Sequence, residues 1–204
     1  MTSAPASKRL RLLVWCPHLD AGGARLLGSI IPALAQRPEL ELIRLLLPGE
    51  SSLPPMDVGP VARVELVPMP SRRQAYKRLR WLESSGRLLG IPGTYQLKRL
   101  VRRRLWATRW DWLHARLIEI AADCDLVYAF WPHQQDYPDL GKPLVCTFQD
   151  ATALEFPEIL GGDQATLEYR RAGTWLERSA AVVVASEATR ATLMRLYGEQ
   201  LSAA

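Results

Sequence analysis

Several polar side chains in this sequence stand directly after apolar runs of strand length. His133 follows Asp125-Leu-Val-Tyr-Ala-Phe130 and the dipeptide Trp131-Pro132. Gln149 and Asp150 follow Leu144-Val-Cys-Thr-Phe148, and Ser186 follows Ala181-Val-Val-Val-Ala185. Near the amino terminus, Gly22 and Gly23 come after Leu10–Cys16 and a short turn-rich loop. If these runs are parallel strands of one open sheet, all of these residues face one rim, in the crevice beyond the carboxyl ends. An imidazole, an amide, a carboxylate and a hydroxyl gathered there would hold a polar ligand by hydrogen bonds. Each also has an ordinary use. Ser186 suits a helix N-cap, Asp150 a turn, and His133 a plain loop position.

The glycine pair invites a second chemistry. Glycines let the backbone approach a phosphate closely, and a helix N-terminus offers unpaired N–H groups to an anion. Asp20-Ala-Gly-Gly23 is not the G-x-G-x-x-G fingerprint, however, and a tight turn without a ligand explains it equally well. The sequence has no G-x-S-x-G, H-E-x-x-H or phosphate-loop motif. Its histidines, His18, His114 and His133, lack metal-ligand spacing, so no metal and no catalytic residue is assigned.

The elements that must position these residues alternate. Leu10–Cys16, Leu40–Leu47, Val61–Val67, Asp123–Phe130, Leu144–Phe148 and Ala180–Ala185 read as strands. From Ala24 the residues Leu26, Leu27, Ile30, Ile31 and Leu34 recur at helical spacing, with Pro32 as a mark against regularity. Pro68 and Pro70 should end the third strand. Helices are expected over Arg72–Gly86 and Tyr95–Ala122, split by Gly90-Ile-Pro-Gly93, and over Glu187–Tyr197, with Gly198 as its stop. The pattern predicts a Rossmann-like three-layer α/β/α domain with a mostly parallel sheet, spanning 9–198. Residues 1–8 are expected to be disordered, 72–122 to form a basic helical elaboration, and 199–204 to be a tail.

The 204 residues are 48% hydrophobic and 23% charged, enough for a full core and unlike a disordered chain. The net charge of +5 is concentrated: half of the 26 lysines and arginines lie between Arg72 and Arg116. Arg99, Arg102, Arg103 and Arg104 are the candidate anionic-surface contacts, near Trp81, Trp106, Trp110 and Trp112. An anionic membrane surface, nucleic acid, or a solvated face over a tryptophan-containing core would each fit. The tryptophans share the leucine stripe, which disfavours nucleic acid. The three cysteines show no disulfide or zinc spacing and read as buried thiols. The run after Lys8, Arg9 and Arg11 is too short for a signal sequence, and no stretch is long enough to span a bilayer. The expected location is cytoplasmic, with peripheral contact to the inner face of the membrane as an option.

Four stretches together resemble a known family. They are Ala21-Gly-Gly-Ala24, Asp125-Leu-Val-Tyr128, Val145-Cys-Thr-Phe-Gln-Asp150 with Phe156-Pro-Glu158, and Ala181-Val-Val-Val-Ala-Ser-Glu187 with Thr189. In order and spacing they resemble the N-terminal, acceptor-side half of retaining, nucleotide-sugar-dependent glycosyltransferases of family four, the group 1 class. That resemblance implies one half of a two-domain GT-B architecture. It implies that Gly22 and Gly23 approach the donor diphosphate, and that Gln149 and Asp150 line the acceptor side with His133. The family usually has His-Asp where this chain has Gln149-Asp150. Glutamine exchanges hydrogen bonds but takes no proton near neutral pH, so a sugar-hydroxyl contact is the role left to it. The nucleotide sugar would be a substrate, with no cofactor, and the acceptor a glycan or lipid. The family's donor-binding half, with its paired glutamates, is not in this chain. The expectation is half a site, inactive alone, as a truncated product or one part of a split enzyme with a separate donor-domain polypeptide. The alternative is a non-enzymatic basic α/β module.

Overall fold

The computed structural model describes residues 8–17, 19, 21–48, 59–69 and 114–201. Among the described residues six strands form one sheet: β1 (Leu10–Trp15), β2 (Leu40–Pro48), β3 (Arg63–Met69), β4 (Leu126–Phe130), β5 (Leu144–Phe148) and β6 (Ala181–Val184). Their order is β3-β2-β1-β4-β5-β6 and every pair is parallel. The helices are α1 (Ala21–Ala35), α2 (114–121), α3 (Thr152–Glu155), α4 (Gly162–Arg178) and α5 (Glu187–Leu201), with a 3-10 turn at Pro157–Ile159.

The continuous apolar runs are explained by burial on both faces. Side chains alternate along a strand, so Leu13 and Trp15 of β1 face one layer while Leu12 and Val14 face the other. On the second face α1 supplies Leu27, Ile31 and Ala35, spaced by four. On the first, Leu117 and Ile120 of α2, Ala172 and Trp175 of α4, and Leu193 and Tyr197 of α5 complete the core. The result is the expected Rossmann-like three-layer fold. Fully buried side chains such as Leu13, Ile43 and Leu117 each contribute roughly 1.5–3 kcal/mol. Cys16, Cys124 and Cys146 are buried and not disulfide-bonded. Burial pushes the Cys146 thiol up to about 11, which keeps it protonated and inert.

Some boundaries differ from the sequence reading. Helix α1 begins at Ala21, not Ala24, and runs through Pro32 to Ala35. Strand β3 covers 63–69 and contains Pro68, which was expected to end it; β3 is an edge strand, where a proline's missing N–H is tolerated. Helix α5 continues through Gly198 to Leu201. Gly198 has no left-handed φ, and Glu199, Gln200 and Leu201 are good helix formers, so 199–201, expected as tail, are helix, and 202–204 lie outside the described residues. Residues 1–7 of the expected disordered terminus lie outside the described residues, whereas Lys8 is placed and pairs with Asp125 at 2.6 Å. Arg99, Arg102, Arg103, Arg104 and the rest of the basic elaboration up to 113 also lie outside them. Among the described residues, no helix is long and apolar enough to cross a membrane.

Candidate functional site

The strand order reverses direction between β1 and β4, and the loops leaving these two strands diverge there. The polar residues singled out in the sequence all stand at this carboxyl edge. Gly22 and Gly23 lie in the first turn of α1 rather than in a loop before it. His133 follows β4, Gln149 and Asp150 follow β5, and Ser186 follows β6.

The loop after β4 carries the most unusual backbone. Trp131 and Gln134 both have φ of 56°, and neither is glycine. Left-handed backbone of this kind costs a side-chain-bearing residue about 1–2 kcal/mol, so surrounding contacts must hold it. Helix α4 provides them along one stripe. Glu168 accepts the Gln134 N–H on its two oxygens at 2.9 and 3.1 Å, and its Oε1 lies 2.6 Å from His133 Nδ1. One turn on, Arg171 pairs with Asp136 at 2.7 Å. At the next, Trp175 Nε1 donates to the Gln135 carbonyl at 2.9 Å, and Gln135 N–H donates to the Pro132 carbonyl at 3.0 Å. Trp131 stacks on the imidazole, 5.5 Å between centroids and 16° between planes. Positions 168, 171 and 175 share one helix face, so a single rigid element fixes the whole loop.

Glu168 is 6% exposed. Burial alone would push its carboxyl up, but the His133 hydrogen bond and the Gln134 N–H outweigh that, and it sits below the usual carboxylate value. Beside this pair opens a cavity of about 160 Å³. Its polar lining side chains are Trp131, His133, Asp150, Thr152 and Glu168; Phe148, Leu154, Ile159 and Leu160 supply apolar walls. Asp150 Oδ1 accepts the Thr152 N–H at 3.0 Å, so the turn role and the rim position coexist.

The cavity thus joins His133 and Asp150, and leaves Gly22, Gly23 and Gln149 outside its lining. Gln149 Nε2 is enclosed and has no hydrogen-bond partner. Ser186 is a helix cap: its hydroxyl accepts the Thr189 N–H at 3.1 Å. Sequence reasoning missed Glu168. Its signal was there, a carboxylate in phase with Ala172 and Trp175 on the buried stripe of α4. An acid in that phase needs a buried partner.

No protein-family model, curated protein or solved structure matches the chain in comparison. The functional reading therefore rests on fold and rim chemistry.

Proposed function

We propose that this domain is the acceptor-side half of a retaining nucleotide-sugar glycosyltransferase of GT-B architecture. The observation that carries the reading is the rim itself: a β3-β2-β1-β4-β5-β6 parallel sheet whose carboxyl edge holds a strained, helix-clamped His133 loop facing Asp150 across a cavity. In this reading His133, Asp150 and Gln149 contact the acceptor. The first-turn amides of α1 at Gly22 and Gly23 face the donor diphosphate. A second Rossmann-like domain, fused or separate, supplies the nucleotide pocket and completes the cleft. No side chain of this chain is assigned a catalytic step.

Titration of the chain with UDP- and GDP-sugars and with the matching free sugars, followed by backbone amide shifts, tests this. Free sugars should perturb amides at the carboxyl edge, near His133 and at 149–154. The nucleotide sugars should bind no more tightly than the free sugars, because their pocket lies on the other domain. Micromolar affinity for a nucleotide sugar, or shifts confined to the amino edge, would overturn it.

A further inference from the structure

The cavity beside His133 has a one-sided chemistry. Among the described residues, its ionisable lining groups are Asp150, Glu168 and His133, and no lysine or arginine lines it. With a neutral imidazole the formal charge of the lining is −2, and with an imidazolium it is −1. The nearby arginines are engaged elsewhere, Arg171 with Asp136 and Arg195 with Glu155 at 3.2 Å. Side-chain donors in the wall are the Trp131 indole N–H and the Thr152 hydroxyl, both uncharged. The carboxylate of Glu168 at 2.6 Å from Nδ1 holds the proton on that nitrogen. In the neutral imidazole Nε2 is then an acceptor. With the imidazole neutral, a phosphate or carboxylate entering here would meet two like charges and, among the described residues, no cation to offset them. A hydroxyl group would meet acceptors already oriented.

Resting on the acceptor-side reading, we infer that this cavity is a subsite for a neutral, hydroxyl-rich ring, one of whose hydroxyls donates to His133 Nε2. Glu168 is the positioning residue that fixes the imidazole tautomer and clamps the loop at Gln134. The subsite thereby separates ring from phosphate: the neutral part of an acceptor sits between β4 and β5, and anionic groups are kept to other parts of the rim.

Long-range proton–nitrogen NMR of the His133 ring on the full chain tests both parts. Without ligand, Nδ1 should carry the proton and Nε2 should be unprotonated; a proton on Nε2 instead would overturn the tautomer assignment. Methyl α-glucopyranoside should then shift Nε2, while inorganic phosphate at equal concentration should not. Glu168→Gln keeps the shape, and should weaken glucoside binding about five- to tenfold and mix the tautomers, with the fold verified by circular dichroism. Asp150→Asn, which retains an acceptor for the Thr152 N–H, should leave the tautomer intact and reduce the discrimination against phosphate. Stronger response to phosphate than to the glucoside would overturn the inference, as would a response to glucosamine alone, which would mark a cation site. Failure here is separable from failure of the glycosyltransferase reading. A glucoside-responsive His133 in a chain that also binds nucleotide sugars at micromolar concentration keeps the subsite and removes the half-enzyme.

Discussion

The two edges of the sheet handle charge in opposite ways. At the amino edge, side chains close on one another. Asp125 takes Lys8 and the Arg11 N–H, the latter at 2.9 Å. Asp123 takes Arg11 at 3.0 Å and Arg44 at 2.5 Å, and Arg44 continues to Glu65 at 3.0 Å and to the Ile120 carbonyl at 2.8 Å. The Asp123 carboxyl is held below its usual range, first by the Arg44 hydrogen bond. These pairs tie α2, β1, β2 and β3 together, and Arg11 Nε is the one buried side-chain polar atom at this edge, among the described residues, without a hydrogen-bond partner. At the carboxyl edge, the same kinds of groups are arranged around a cavity. Gln149 Nε2 is unmatched, one imidazole nitrogen is fixed so that the other points away from its carboxylate, and two residues are held in left-handed backbone. Structural charge closes on itself, whereas the candidate site keeps something open.

The sharpest way to break this contrast is to remove the element that holds the carboxyl edge. Trp175 is 1% exposed, lies 6.0 Å from Trp15 between ring centroids, and donates to Gln135. Trp175→Ala should cost about 3–5 kcal/mol in urea denaturation, and should release the 131–136 loop. Trp175→Phe keeps most of the packing and loses the hydrogen bond, so it should cost about 1–2 kcal/mol. If both variants left the His133 resonances unchanged, α4 would not be the clamp.

Glu168 comes next. Glu168→Leu leaves the Gln134 N–H and His133 Nδ1 facing a hydrocarbon, at an expected cost of about 2–4 kcal/mol. The pH dependence has a definite sign. The carboxyl lies below its ordinary value of 4.5 when folded, so its contribution is fully present above that value. It is lost as pH falls through the lower, folded value. The stability gap between wild type and Glu168→Gln should therefore be flat near neutrality and shrink only below about pH 4.5. A gap that grew on acidification would contradict the assigned hydrogen bonds.

The sequence made the scaffold legible and much less of the site. Apolar runs such as Leu10–Trp15 and Leu144–Phe148 can satisfy both faces inside a parallel sheet, whereas the strand order is a property of the assembled sheet. The rim position of His133 and Asp150 was legible because strand ends mark a rim. Glu168 was not, because periodicity describes which face is buried and not which loop a buried acid will meet 34 residues away. Pro68 was misread as a stop since edge position is a property of the assembled sheet. Gly198 was misread as a stop because the helix formers after it outweigh one glycine.

Asp123 sharpens the contrast from the other side. Asp123→Asn keeps one acceptor oxygen for the arginines, turns the other into an NH2 donor and removes the charge at a partly exposed position, and should cost about 1 kcal/mol or less. Sugar-induced shifts at His133 should be identical to wild type. A loss of those shifts would mean that the two edges are coupled and the contrast is false.

An effect of similar size is expected with the opposite sign. Gln149→Met keeps the length of the side chain and removes the enclosed, unmatched Nε2, so it should stabilise the fold by about 1 kcal/mol. The neighbouring Asp150–Thr152 turn bond does not involve the Gln149 side chain and should persist. If Gln149 serves the acceptor, the same substitution weakens free-sugar shifts at the carboxyl edge while raising the urea midpoint, the trade-off expected where a site departs from the stability optimum. No amino-edge substitution should do both. A Gln149→Met variant that is both less stable and unaltered in sugar response would make that amide an ordinary part of the core, and would narrow the site to the cavity between His133 and Asp150.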